Sequence, residues 1–135
     1  MKVKVGDKIP EWEMKSVSAD RMATMAAILR DPCPFHWDRD VVDKQFGIGK
    51  RTVNQGLVGI GYMVNMVHSW SGENSIKSMK MGFPVPLVLD DDHVIAKGEV
   101  IAVKPEEKGQ LAECSIWLEK EGERLLDGIV SVFIS

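Results

Sequence analysis

Residues 54–70 read NQGLVGIGYMVNMVHSW, and this stretch decides the fold expected for the chain. Its apolar side chains fall on nearly every side of a helix, and a helix that is apolar all round belongs in a core. At about 15 residues and ~22 Å, such a helix is too short to cross a bilayer. The stretch therefore predicts a buried central helix that the rest of the chain wraps.

The predicted helix contains three glycines, which are unusual in a helix. Gly59 and Gly61 should each cost about 1 kcal/mol in a helix interior, which is reasonable where another backbone approaches closely. Gly56 lies at the predicted N-terminus, where free backbone N–H groups can receive a developing negative charge. An ordinary core helix with tolerated glycines explains the same pattern, so the glycines alone do not define a site.

Composition narrows the class of protein. The chain has 135 residues, 44% of them hydrophobic and 27% charged, which suits one folded domain with a real core. A net charge of −3 and a pI near 5.6 argue against nucleic acid as a partner. No apolar run has the length of a signal peptide or a membrane span, so no membrane partner is expected. Cys33 and Cys114 form neither a disulfide framework nor a metal signature, which favours a reducing cytoplasm.

Helix and strand signals follow one another in a definite order. Before the central helix, the segment 2–9 ends at Pro10, and the pattern predicts a short strand over 11–17 and a helix over 19–30 capped by Ser18. A short helix capped by Asp38 is expected to run through Phe46 and to be ended by Gly47 and Gly49. After Gly72 the period changes from helical to alternating. This part predicts about four antiparallel strands joined by hairpins, over 75–83, 94–103, 111–118 and 129–134. The order predicts an α+β fold in which an antiparallel sheet curls round one helix.

Residues 30–40 read RDPCPFHWDRD and carry the strongest chemical signal. Asp31 and His36 are five residues apart across a segment that two prolines stiffen, so their polar ends could converge on one small site. A carboxylate and an imidazole together can orient a water molecule and move protons on and off it. The alternative is structural: Asp31 caps the preceding loop and His36 packs beside Phe35.

The motif Asp31-x-x-Pro34-Phe35-His36-x-Asp38, with Gly56 opening a buried helix and Val5-Gly6-Asp7 near the start, resembles the MaoC-like hot-dog (R)-specific enoyl-CoA hydratases. Within that family the chain looks most like the small subunits of two-chain hydratases in bacterial steroid side-chain degradation. The residues that carry this closer likeness are 30–31, 36–40 and 76–78, with Gly82 and Pro84. The resemblance implies a hot-dog fold over residues 1–135.

The resemblance also implies a reaction, the reversible hydration of a trans-2-enoyl-CoA thioester to a 3-hydroxyacyl-CoA. Asp31 and His36 would bind and activate the water, and Gly56 would offer its N–H to the thioester oxygen. The residues expected beside the substrate are Gly56, Gln55, Cys33 and Leu57. No cofactor and no metal are expected. The family implies a dimer, either with a second copy or with a related MaoC-like chain.

Two positions depart from the family pattern and keep alternatives open. Cys33 stands where the family usually has Asn and lacks its amide donors and carbonyl acceptor. Gln55 stands where a His usually precedes the Gly, and it can hydrogen-bond but not titrate. One alternative is a hot-dog thioesterase, in which water attacks the thioester carbon. The other, which these departures favour, is a non-catalytic chain that shapes an acyl pocket for another subunit.

Other polar residues predict structural roles. His68 falls in the last turn of the central helix, where a cation suits the helix dipole. Residues 90–92 read DDD and could bind a hard cation, but the pattern predicts a solvated turn. Neither zinc-type ligand spacing nor a glycine-rich phosphate loop is present in the sequence. The methionines are expected in the core, where some could line a soft acyl pocket.

Overall fold

The computed structural model describes residues 1–82 and 88–135, and every side chain in those ranges except that of Leu57. In this part of the chain the strands are β1 (Lys8–Met14), β2 (Ile76–Gly82), β3 (Val94–Glu106), β4 (Gly109–Lys120) and β5 (Glu123–Ile134). The helices are α1 (Ala19–Leu29), α2 (Arg39–Phe46) and α3 (Gly56–Ser71). The expected end of a strand at Phe83 and the family position Pro84 lie outside the described residues.

The strands form one antiparallel sheet in the order β1-β3-β4-β5-β2. The long β3–β4 and β4–β5 hairpins set its register, with Cys114 opposite both Val100 and Val130. Alternate residues of these strands point to one face and are fully buried, so that face forms the floor of the core. The α+β hot-dog architecture predicted from the sequence is therefore confirmed.

Helix α3 lies against the buried face of the sheet. Met63, Met66 and Val67 are at most 1% exposed and belong to the same apolar cluster as Ile116 and Leu118. Burial all round, however, was the wrong expectation. Val64 and His68 remain half-buried and Asn65 is exposed, because a sheet packs against one side of a helix and leaves the other open in a single chain.

The two glycines inside α3 have different surroundings. A Cβ at Gly59 would lie 2.6 Å from Cδ1 of Leu126 and 3.5 Å from Cδ2 of Leu118, so this glycine lets the helix approach the sheet closely. A Cβ at Gly61 would meet nothing within 4 Å in this chain. The expectation of a close approach is right for Gly59, although side chains rather than a backbone approach it, and wrong for Gly61.

The N-terminal strand also differs from expectation. The predicted strand begins at Glu11, after Pro10, but β1 starts at Lys8 and continues through Pro10 to Met14. The pairing of β1 with β3 shifts register between Ile9 and Trp12. Pro10 sits in this irregularity on an edge strand, where the missing N–H removes no hydrogen bond that the sheet needs.

Helices α1 and α2 have the capping residues that the sequence predicts. The Ser18 side chain accepts from the Arg21 N–H at the start of α1, and the Asp38 side chain caps α2, which ends at Gly47 in the left-handed conformation. In the part of the chain that the structure describes, no helix has the length and apolarity that crossing a membrane requires.

The contrast between the two helix glycines can be tested on stability. We expect Gly61→Ala to raise the free energy of unfolding by up to about 1 kcal/mol, because alanine favours the helix. Gly59→Ala gains the same propensity but must displace Leu126, so it should be less stable than Gly61→Ala by about 1–3 kcal/mol. Urea unfolding of the two variants measures the difference, and equal stabilities would contradict the packing described here.

Candidate active site

Asp31 is placed by a sharp end to α1. Arg30 adopts the left-handed conformation (φ 52°), and the Asp31 N–H then donates to the Ala26 carbonyl at 2.9 Å. The Asp31 carboxylate turns back on the loop, where Oδ1 accepts from the Cys33 N–H at 2.9 Å. One carboxylate oxygen is thereby fixed by the backbone, and Oδ2 is left for another partner.

His36 ends a short 3₁₀ turn, Pro34–His36, that Pro34 begins. Its Nδ1 lies 2.6 Å from the Val53 carbonyl oxygen, and the Val53 N–H donates to the Phe35 carbonyl at 2.7 Å. Because a carbonyl oxygen only accepts, Nδ1 must carry a proton. In the neutral ring the lone pair therefore sits on Nε2, which is the nitrogen that faces Asp31.

Asp31 and His36 do converge. Nε2 of His36 lies 3.6 Å from Oδ2 of Asp31, and the two side chains are 14% and 33% exposed. This separation is too long for a direct hydrogen bond. Both facing atoms therefore keep free lone pairs that a third polar group, such as a water molecule, can bind.

The first turn of α3 begins three residues after Val53, whose carbonyl binds His36. Gln55 is the N-cap residue, but its side chain makes no capping hydrogen bond. Its Nε2 instead donates to the Met22 carbonyl at 2.8 Å, and the residue is 4% exposed. The Gly56 N–H thus begins the helix without a side-chain cap, and the predicted oxyanion role remains available to it.

The remaining predicted substrate residues lie at or near the same loop. Cys33 is half-buried, is a free thiol and is the N-cap of the 3₁₀ turn. Its backbone N–H donates to the Asp31 carboxylate, and this contact does not depend on which side chain stands at position 33. The side chain of Leu57 lies outside the described part of the chain. The roles given to Gln55, Cys33 and Leu57 stay predictions.

Two buried carboxylates and their partly exposed basic partners form ion pairs next to the loop, here called the buried ion cluster. The sequence did not reveal this cluster. Residues 90–92 were expected to form a solvated turn, but Asp90 and Asp92 are 2% and 5% exposed. Asp90 Oδ2 accepts from Arg39 at 2.5 Å, and Asp92 Oδ1 accepts from Arg51 at 3.0 Å and lies 2.9 Å from Lys120 Nζ. The expectation was wrong because the basic partners lie 28 to 51 residues away in sequence, beyond any local pattern.

The protonation of Asp90 follows from these contacts. Burial by itself would raise the pKa of Asp90, but the Thr52 N–H and the Arg39 guanidinium outweigh burial and hold the pKa below its ordinary value. The carboxylate is therefore charged at neutral pH. Its oxygens are already occupied by donors, which leaves no reason to assign a cation to this turn.

Other titratable groups lie away from the loop. His68 is half-buried in the last turn of α3, as expected, and His93 Nε2 lies 2.7 Å from Glu13 Oε1 at the surface. Burial raises the pKa of the Cys114 thiol to about 11, which rules it out as a nucleophile at neutral pH. Within residues 1–82 and 88–135, no group of three or more His, Cys, Asp or Glu residues could hold a metal ion.

Two surface clefts lie away from Asp31 and His36. A cleft of about 570 Å³ is lined by Arg51, Asp92 and Lys120 among others, and one of about 460 Å³ by Pro10, Lys97 and Trp117 among others. Neither includes Asp31 or His36. The side chains of His36 and Asp31 are partly exposed, at 14% and 33% in the single chain.

Solved structures share this architecture over nearly the whole chain. A chain of the ChsH1–ChsH2 complex from Mycobacterium tuberculosis is 26% identical, with a TM-score of 0.81 and full coverage of both chains. The (R)-hydratase from A. caviae involved in PHA biosynthesis is 20% identical, with a TM-score of 0.83 over 98% of each chain. A MaoC-like dehydratase is 20% identical, with a TM-score of 0.85 over 98% of this chain and 41% of that one.

This chain has the α+β hot-dog fold, and the structures that share it include MaoC-like hydratases and dehydratases. No protein-family model matches its sequence, and no curated protein is significantly similar to it. In this hot-dog domain the side chains of Asp31 and His36 face each other across the loop, as the spacing of the two residues predicts.

The buried ion cluster predicts an acid sensitivity. Because the folded state lowers the pKa of Asp90, the unfolded state binds this proton more tightly, and stability is lost as pH falls below the ordinary value of 3.8. The free energy of unfolding of the wild-type protein should therefore fall more steeply between pH 5 and 3 than that of Asp90→Asn. Asp91→Asn, at an exposed position of the same turn, should follow the wild-type slope. Urea unfolding at a series of pH values gives the slopes, and parallel curves for Asp90→Asn would contradict the assignment.

Proposed function

We propose that this chain hydrates a trans-2-enoyl-CoA thioester reversibly to a 3-hydroxyacyl-CoA, acting within a dimer. The observation that carries the proposal is the facing of His36 Nε2 and Asp31 Oδ2 at 3.6 Å on a stiff loop. An imidazole with a free acceptor nitrogen and a carboxylate with a free oxygen can hold one water between them. The relatives named as an (R)-hydratase and a MaoC-like dehydratase support this reaction class.

The tautomer suggests how the pair divides its work. His36 donates through Nδ1 to Val53, so its Nε2 is the base that takes a proton from water as the oxygen bonds to the β-carbon. The nearby Asp31 carboxylate stabilises the imidazolium that forms. The pair then returns this proton to the α-carbon. One proton is taken and one is given, so the enzyme ends the cycle unchanged.

Gly56 supplies the third element of the proposal. Negative charge builds on the thioester oxygen as water adds, and an uncapped N–H at a helix N-terminus can receive it. Such a donor contributes about 3–4 kcal/mol in enzymes that use one. Gly56 suits the position because it adds no side chain between the substrate and the helix.

The assembly is part of the proposal. Asp31 is 33% exposed in the single chain, so a second chain that covers it would help to enclose a substrate. The relative in the ChsH1–ChsH2 complex pairs with a different chain. We propose a homodimer or a pair with a second MaoC-like chain. CoA thioesters are intracellular metabolites, so the proposed location is the cytoplasm.

A non-catalytic role remains the second candidate, and Gln55 favours it. Its amide is buried against α1 at the position where the family usually has a His. A chain with this substitution can still shape an acyl pocket while a partner performs the chemistry. Hydration assays on the chain alone, and co-purified with its genomic neighbours, distinguish the two cases.

The catalytic pair gives a direct test. Asp31→Asn and His36→Ala should each lower kcat/KM for hydration by at least about 100-fold, because each removes a proton-transfer group, and should leave thermal unfolding little changed. Asp40→Asn and His93→Gln change exposed side chains of the same types and should retain activity. The loss of enoyl absorbance is followed on CoA thioesters of several acyl chains, including a steroid side-chain enoyl thioester. Near wild-type turnover in both pair variants would refute the assignment.

The same assay separates hydration from hydrolysis. A thioesterase releases free thiol, whereas hydration removes the enoyl absorbance and leaves the thioester intact. Thiol release by wild-type protein, lost in the Asp31 and His36 variants, would replace the hydratase proposal with the thioesterase alternative.

Replacing Gly56 by proline removes the N–H and so tests its role separately from the rest of the helix. Proline is favoured at the first position of a helix, and Gln55 has φ −63° and ψ 141°, which a following proline accepts. Gly56→Pro should therefore fold but lower kcat by about 100- to 1,000-fold, because it removes the N–H. Gly56→Ala adds bulk while keeping the N–H and is the matched control. Equal activities of the two variants would remove Gly56 from the mechanism.

A further inference from the structure

The Val53 carbonyl that binds His36 belongs to a segment held from the opposite side. The Thr52 N–H donates to Asp90 Oδ1 at 2.9 Å, and the Asp90 N–H donates to the Thr52 carbonyl at 3.0 Å. The Asn54 N–H donates to the Val88 carbonyl at 2.6 Å, and Val53 bridges Leu89 in antiparallel pairing. Val53 is thus flanked on both sides by residues that are bonded to the 88–90 segment.

Asp90 is the centre of this attachment. Its carboxylate is 2% exposed and accepts from the Thr52 N–H, from Arg39 at 2.5 Å and from Arg51 at 3.4 Å. Arg39 begins α2 three residues after His36, and it also donates to the Lys50 carbonyl at 3.1 Å. One carboxylate therefore binds the chain just after the imidazole and the chain just before the carbonyl that orients it.

We propose that Asp90 is a positioning residue for His36 and acts through the Val53 carbonyl. The proposal rests on the proposed function, in which His36 is catalytic. With Asp90 in place, the carbonyl stays in line with Nδ1 and the ring keeps its proton there. Without the Asp90 carboxylate, the Thr52 N–H loses its acceptor and the two arginines lose their common partner. The backbone bonds to the 88–90 segment remain, so the carbonyl stays near the ring but is held less firmly in line with Nδ1.

The consequence is a change of tautomer. Once Nδ1 loses its fixed acceptor, the neutral ring can carry its proton on either nitrogen. Every molecule with the proton on Nε2 lacks the lone pair that the mechanism needs. The substrate does not touch Asp90, so binding should change much less than turnover.

The test compares Asp90→Ala with Asp91→Ala, its neighbour on the exposed side of the same turn. In the wild-type protein, ¹⁵N NMR of the His36 ring should show the proton on Nδ1. In Asp90→Ala we expect a mixture of tautomers and a kcat lower by about 10- to 100-fold, with KM little changed. Asp91→Ala should match the wild-type protein in both measurements.

A milder variant keeps the test decisive if Asp90→Ala does not fold. Arg39 is 45% exposed at its side chain, and Arg39→Gln removes a donor to Asp90 without leaving a cavity. It should shift the same ring signals and kcat in the same direction, but less. An Nδ1-protonated ring with unchanged kcat in a folded variant would overturn the positioning role.

The two readouts also separate this proposal from the hydratase proposal. A tautomer shift in Asp90→Ala together with an inactive wild-type protein would retain the positioning contact and reject the hydratase activity. If the wild-type protein hydrates the substrate but neither the ring signals nor kcat change in Asp90→Ala, the hydratase proposal is retained and the positioning role of Asp90 is rejected.

Discussion

The hydrogen bond from His36 Nδ1 to the Val53 carbonyl is the contact on which the candidate site depends. At 2.6 Å it decides which ring nitrogen is free, and it joins the 3₁₀ turn to the segment that leads into α3. Together with the bond from the Val53 N–H to the Phe35 carbonyl, it fixes the loop of Asp31 and His36 relative to the start of the helix. The bond therefore connects the position of the proton on the His36 ring to the segment that leads to the Gly56 N–H.

Much of the fold was predictable because its signals are local. Ser18, Asp38 and Gly47 define helix ends through contacts within a few residues, and alternation along 94–134 defines long hairpins. The convergence of Asp31 with His36 was also accessible, since two prolines restrict the few residues between them. These predictions succeeded where the physical cause lies inside a window of about ten residues.

The errors have the opposite cause. The burial of Asp90 depends on Arg39 and Arg51, which are brought to it by the fold, so a run of three aspartates was taken for a solvated turn. Whether one or both sides of α3 are covered depends on how the other elements pack around it. The apolar composition of the helix does not predict this. Its glycines show the same limit, because identical residues two positions apart lie against a side chain in one case and open space in the other.

The chemistry of the buried ion cluster explains why it stands behind this loop. Ion pairs in an interior often add little to stability compared with apolar packing, because removing charges from water is costly. An apolar side chain at position 90 could fill the space, but it could not accept the Thr52 N–H and two guanidinium groups at once. Hydrogen bonds fix direction as well as distance, whereas apolar contacts tolerate sliding. The Val53 carbonyl has to point at Nδ1 of His36, which requires directional hydrogen bonds in the segment that carries it. Asp90 accepts such hydrogen bonds.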